Sequence, residues 1–156
     1  MKLAATVFLR SVLVLIGLAA LTFLLWEPQV EGRNVHATLF EIYFEDPFLA
    51  YAYVGSIPFF VGLYHSFKVL AYAGRNKEFS SSAVRSVRTI KYCAIAVIAF
   101  VAGGELFIML GDSDDRAGGV FMGGLIGFAS IVVAAVTTVV ERTLQKAVDM
   151  KPENDF

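Results

Sequence analysis

The chain has 156 residues, of which 57% are hydrophobic and only 17% charged, and its formal net charge is −1. This composition lies outside the usual range of soluble domains and therefore excludes an ordinary soluble fold. The near-neutral net charge conceals a strong segregation, because all but two of the thirteen Lys and Arg residues fall on one side of four apolar runs.

The four apolar runs cover, in chain order, about residues 3–26, 48–70, 92–110 and 117–140. A helix needs about 20 apolar residues to cross the ~30 Å hydrocarbon core of a bilayer, so each run is long enough. The first run also lacks the polar face of a soluble amphipathic helix. No small-x-small cleavage site follows it closely, so it is predicted to be an uncleaved span. The sequence predicts an all-α fold, a single four-transmembrane-helix bundle with residues 141–156 as a short cytoplasmic tail.

The basic residues predict the orientation of the spans. With the N-terminus in the cytoplasm, Arg33 and Arg116 are the only basic residues outside, and all others fall on the cytoplasmic side. Short cytoplasmic segments carry an excess of Lys and Arg in membrane proteins. Both termini are therefore predicted to be inside.

The connection between the second and third runs is predicted to be the most structured one. Gly74 and Asn76 favour the end of the second span, and the serines at 80–82 offer N-caps for a new helix that runs into the third span. Arg85, Arg88 and Lys91 recur at helical spacing in that segment. They are predicted either to contact anionic lipid headgroups or to dock a cytoplasmic partner.

Glycine spacing predicts how the last two spans pack. Gly119, Gly123 and Gly127 recur every four residues, and such small residues let helix backbones approach closely in lipid. The third span offers Ala99 and Gly103 at the same interval, and the short turn at 111–116 makes the two spans antiparallel neighbours. Intramolecular packing is therefore favoured, and formation of a homo-oligomer through the same glycines is the alternative.

Three polar side chains within the spans are candidates for chemistry: Glu105, Tyr53 and His65. Glu105 and Tyr53 each lie about 8 Å from the outer ends of their runs, so their depths permit a hydrogen bond between them. Glu105 either faces the interior or touches water at the outer interface. His65 falls near the cytoplasmic interface. Pro58 removes a backbone donor within the second run, and a kink is expected there.

Several stretches of the chain resemble a known family. They are Ile57-Pro58-Phe59-Phe60, Leu63-Tyr64, Asn76-Lys77-Glu78-Phe79-Ser80, Ile90-Lys91-Tyr92-Cys93-Ala94, Leu144-Gln145-Lys146-Ala147 and Lys151-Pro152-Glu153-Asn154-Asp155. Together they resemble a widespread prokaryotic family of four-span integral membrane proteins catalogued only as a domain of unknown function. The resemblance implies a multi-pass protein of the cytoplasmic membrane. Because members of that family are often encoded beside a small helix-turn-helix regulator of the Cro/C1 type, it also implies a candidate partner, but it brings no activity.

The remaining motifs argue against catalysis. The sequence has no phosphate-binding Gly-Lys-Ser/Thr motif and no nucleophile elbow, and its two histidines and one cysteine do not form a zinc pattern. We therefore predict no enzyme activity, no cofactor or metal, and no direct contact with nucleic acid. A regulatory or sensor protein acting through a cytoplasmic partner is the favoured hypothesis. The alternatives are a small oligomeric transporter or channel that uses Glu105 in a polar path, and a structural subunit of a membrane complex.

Overall fold

The computed structural model describes residues 3–30, 38, 47–77, 79–111 and 116–150. Its four helices are α1 (Leu3–Val30), α2 (Pro47–Gly74), α3 (Ser81–Leu110) and α4 (Arg116–Asp149). These described residues contain no strand. Each helix is long and apolar enough to cross a membrane. The predicted all-α fold with four spans is therefore confirmed. The connection between the first two apolar runs lies, apart from the end of α1, almost wholly outside the described residues. Most of the turn at 111–116 and the final residues of the tail also lie outside them.

The helices are longer than the apolar runs from which they were predicted. They contain 28, 28, 30 and 34 residues, which corresponds to about 42–51 Å at 1.5 Å per residue. Each helix is therefore longer than the ~30 Å hydrocarbon core of a bilayer. The main additions are residues 81–91 of α3 and 141–149 of α4, at the end where α2 also terminates. We call this the basic end, because Lys and Arg residues are concentrated there.

The connection between α2 and α3 is built as its residue types predict. Asn76 has a φ of 56°, the left-handed conformation that ends many helices. The N–H of Lys77 then donates to the Tyr72 carbonyl at 2.7 Å, which completes a Schellman-type cap. At the start of α3, the Ser80 hydroxyl accepts a hydrogen bond from the Ala83 N–H at 3.2 Å. The predicted helix end and the predicted serine N-cap are both confirmed.

The helices pack side by side in chain order. Helix α3 packs extensively on both α2 and α4, whereas α1 contacts only a small part of α2. Other contacts between the described helices are slight, so the predicted bundle is an open one, with α1 and α4 at its two edges. Large apolar side chains such as Leu3, Phe121 and Phe128 remain exposed. Such surfaces are a liability in water but normal against lipid, because lipid tails are as apolar as the side chains.

Side-chain burial is concentrated at the basic end. The best-buried residues other than glycine are Ala83, Val84, Val87, Ala94 and Val148, with Thr6 and Ser86. Five of these seven lie in the segments of α3 and α4 that continue past the predicted spans, residues 81–91 and 141–149. Thr6 lies near the start of α1 within the first predicted span, and Ala94 lies within the third. Among the described helices, side-chain packing is therefore tightest at the basic end.

Candidate functional site

A three-residue ionic cluster joins α3 to α4 at the basic end. The Arg88 Nε donates to Glu141 Oε1 at 2.7 Å, and the Lys91 Nζ donates to Glu141 Oε2 at 2.6 Å. Each carboxylate oxygen therefore has its own cationic donor. Only 13% of the Glu141 side chain and 18% of the Lys91 side chain are exposed. The cluster fixes the relative position of the two helices where they continue past the predicted spans.

This cluster changes the interpretation of the basic segment. Arg85, Arg88 and Lys91 were predicted to form one surface for lipid or a partner. Arg88 and Lys91 instead bind Glu141, and Arg85 is the exposed residue of the three that binds no carboxylate among the described residues. Sequence reasoning missed Glu141. The signal that identifies it is its position within the first turn after the fourth apolar run, level with the basic segment of an antiparallel neighbour.

The glycine row of α4 packs against large side chains of α3. A Cβ atom on Gly119 would lie 2.9 Å from Ile108, and one on Gly127 would lie 3.5 Å from Val101. At Gly123 an added Cβ would overlap the Glu105 carboxylate. Residues 101, 105 and 108 share one face of α3, and this face packs against the glycine row. The approach requires glycine at 119 and 123, whereas a Cβ at 127 would make an ordinary contact.

The small residues expected to face that row lie elsewhere, which corrects the prediction. Ala99 is exposed, and Gly103 faces α2, where an added Cβ would approach the Tyr51 hydroxyl to 2.5 Å. Tyr51 donates to the Phe100 carbonyl at 2.8 Å and packs its ring against that of Phe100 with centroids 5.3 Å apart. A four-residue interval occurs on every face of a helix, so spacing alone did not fix the rotation of α3.

Tyr53 does not donate to Glu105, the partner that equal depth permitted. The Tyr53 hydroxyl has one proton, and it donates that proton to the Leu24 carbonyl of α1 at 2.9 Å. Glu105 instead lies half-buried between α3 and α4, with its carboxylate against the backbone of Gly123. Equal depth placed the two residues at one level of the bundle, but depth does not give the direction in which a side chain points.

His65 and Pro58 both lie within α2. The His65 Nδ1 is buried and has no hydrogen-bond partner among the described residues, and the ring packs edge-on against Tyr64 with centroids 5.4 Å apart. Helix α2 continues on both sides of Pro58, and the expected kink stays a prediction. In the described part of the chain, no three His, Cys, Asp or Glu side chains are grouped as a metal site requires.

Comparison of the sequence with known proteins assigns the chain to a family. The family model described as "Protein of unknown function (DUF2975)" matches residues 4–156. The chain belongs to this family. A relative in Bacillus subtilis (strain 168), the uncharacterized membrane protein YoaS, is 39% identical over 160 residues, which cover the whole of this chain and 99% of the relative. No solved structure matches the chain. The family resemblance and the membrane assignment are thereby confirmed, and the helix-turn-helix partner stays a prediction.

This DUF2975 protein retains exposed positive charge outside the ionic cluster. Within the described ranges, the exposed basic side chains of the basic end without a carboxylate partner are Arg10, Arg75, Lys77, Arg85, Arg142 and Lys146. They surround the buried residues at this end on several sides. The arrangement is chemically suited to binding anions.

Proposed function

We propose that this protein is a membrane-embedded regulatory protein that acts through a cytoplasmic partner bound at the basic end. One observation carries the proposal: the helices continue past the predicted spans as a packed extension with its own buried residues. Residues 81–91 add about 16 Å to α3, and residues 141–149 add about 14 Å to α4. An extension of this kind is not needed to anchor a protein in lipid.

The tip of the extension has the chemistry of a protein-binding surface. Phe79 is exposed, Met150 is 82% exposed, and the basic Lys77 is exposed close to Phe79 along the chain. Exposed apolar side chains with polar neighbours often mark interaction sites. Because these residues lie at the far ends of the extension, a soluble partner can reach them without entering the bilayer.

The ionic cluster supplies a route from the spans to the tip. Glu141 joins α3 and α4 at the base of the extension, so a change in the packing of the two spans moves the tip residues as well. A regulatory account requires such an element with alternative arrangements. The family resemblance favours a small helix-turn-helix regulator as the partner, and the positive-inside distribution of Lys and Arg supports a cytoplasmic location for it.

A crosslinking pull-down from native membranes tests the proposal. The parent chain is compared with a tip variant, Lys77→Ala with Phe79→Ala, and with the control Arg85→Ala, which removes an exposed charge from the side of α3. We expect the parent and the control to recover the same small DNA-binding protein and the tip variant to lose it. All three chains must first show equal membrane insertion. Recovery of no soluble protein by the parent, or equal recovery by all three chains, contradicts the proposal.

A further inference from the structure

We propose that the contact between α2 and α3 at the basic end binds the headgroup of an anionic phospholipid such as phosphatidylglycerol. The headgroup site consists of Tyr64 and Lys68 on α2 with Arg85 and Tyr92 on α3. It lies on the side of the helices and is separate from the tip at which the partner is proposed to bind.

The register between α2 and α3 brings the two tyrosines to one level. A Cβ atom on Gly62 would lie 3.3 Å from the Cys93 Cβ, and one on Gly55 would lie 3.1 Å from the Phe100 ring. In this antiparallel register, residue 64 is level with residues 91 and 92. Both Tyr64 and Tyr92 lie about 15–17 Å from the basic ends of their helices.

Both tyrosines also face the same side of the contact. Tyr64 is 60% exposed and Tyr92 is 58% exposed. On α2, the exposed face lies between the face that contacts α1 and the face that contacts α3. On α3, the exposed face lies between the faces that contact α2 and α4. At about 100° per residue along each helix, both exposed faces fall on the same side of the α2–α3 contact.

Each tyrosine carries a lysine ammonium over its ring. The Lys68 Nζ lies 5.6 Å from the Tyr64 ring centroid, and the Lys91 Nζ lies 4.8 Å from that of Tyr92. Lys91 is also bound to Glu141, so its role is to hold Tyr92 in place. Tyrosine is enriched where a bilayer meets water, because its ring is apolar and its hydroxyl is polar. The pair therefore marks the level at which headgroups begin.

The positive charge that remains lies just beyond this level. Lys68 is level with residue 87, and Arg85 lies within one turn of that position. Neither has a carboxylate partner among the described residues. A guanidinium binds phosphate oxygens in a bidentate manner, and an ammonium contributes a point charge. A phosphate held between these two side chains would neutralise both.

The surface on the other side of the tyrosines favours a lipid over a soluble phosphate. The same exposed faces continue as Ile57 and Val61 on α2 and Ile95 on α3, all of them large and exposed. A molecule with a phosphate at one end and acyl chains at the other matches both parts. Inorganic phosphate would leave these apolar side chains uncovered.

Native mass spectrometry of the purified full chain tests this site. The protein is released from a neutral detergent with phosphatidylglycerol or phosphatidylcholine of the same acyl chains, and the dissociation constant of each lipid is measured. The variant Lys68→Gln with Arg85→Gln is compared with Arg142→Gln with Lys146→Gln, which removes the same charge from the exposed side of α4. Each interfacial Lys or Arg changes affinity for an anionic lipid by about fivefold.

We expect the site variant to bind phosphatidylglycerol roughly 25-fold more weakly than the parent, since two charges are lost. The α4 variant and all measurements with phosphatidylcholine should stay close to the parent, and excess inorganic phosphate should not displace the lipid. The single variant Arg85→Gln, which alters one exposed side chain, provides the same test at about fivefold if the double variant does not fold. Equal losses in the two double variants, an absence of preference for the anionic lipid, or displacement by free phosphate would overturn the proposal. Retained lipid preference with loss of a protein partner in the site variant would assign the surface to that protein instead.

Discussion

Replacing Glu141 by Gln should separate the basic ends of α3 and α4. Glutamine retains the size of the side chain but removes the charge, so Lys91 and Arg88 remain close to each other without a counter-ion. A hydrogen bond between charged groups contributes about 1.5–3 kcal/mol when it is well shielded. Because both side chains of the Lys91–Glu141 pair keep some access to solvent, we expect a loss of about 1–2 kcal/mol for that pair.

A reversible unfolding titration with sodium dodecyl sulfate in mixed micelles measures this loss. The control is Asp149→Asn, which removes the same charge from an exposed carboxylate that accepts a hydrogen bond from Gln145 only four residues away on the same helix. A double-mutant cycle with Lys91→Met isolates the Lys91–Glu141 term, and its coupling energy should also be about 1–2 kcal/mol. Equal midpoints for Glu141→Gln and the control, or a coupling energy near zero, would refute the view that the cluster fastens α3 to α4.

Three further substitutions test other contacts. Ser80→Ala removes the N-cap of α3 and should cost about 0.5–2 kcal/mol, with faster hydrogen exchange in the first turn of that helix. Tyr53→Phe removes the hydrogen bond to Leu24, and it should lower the disulfide crosslinking yield between cysteines placed at residues 17 and 63. Gly119→Leu inserts a side chain into the α3–α4 contact and should destabilise the protein by about 1–3 kcal/mol. Gly124→Leu should be tolerated, because a Cβ there has no neighbour within 4 Å.

Two matched controls accompany these substitutions. Ser81→Ala alters an exposed serine next to the cap and should leave hydrogen exchange unchanged. Tyr64→Phe removes a hydroxyl from a side chain that is mostly exposed, and it should leave the crosslinking yield unchanged. A control that behaves like its partner substitution would show that the effect does not arise from the named hydrogen bond.

The sequence predicted the four helices, the end of α2 and the N-cap of α3 because those features depend on local chemistry. A run of about 20 apolar residues is required by the thickness of the bilayer whatever the helix packs against. Asn76 and Ser80 act on backbone groups within a few residues of themselves, so their roles follow from residue type and position. The length of α3 could also be predicted, because the serines ahead of the basic segment indicate where that helix begins.

The rotation of each helix about its own axis could not be predicted from the sequence in the same way. A helix in water has a polar face that identifies its outside, but a helix in lipid is apolar all round. Tyr51 and Tyr53 are two residues apart, and nothing in their surroundings told which one faces α3. Gly103 likewise fits the spacing of an α4 contact but faces α2. The Glu141 cluster depends on the α3–α4 register, which follows from the way the glycine row meets residues 101, 105 and 108.

Cysteine accessibility along α3 tests most directly whether this helix leaves the membrane on the cytoplasmic side. Single cysteines are placed at residues 85, 92 and 99 in a Cys93→Ser background, and a membrane-impermeant maleimide is applied to inverted and to right-side-out vesicles. We predict rapid labelling at 85 and slower labelling at 92, both from the cytoplasmic side only, and protection at 99. Protection at 85 equal to that at 99, or labelling of 85 from the outer side, would contradict a water-exposed cytoplasmic extension.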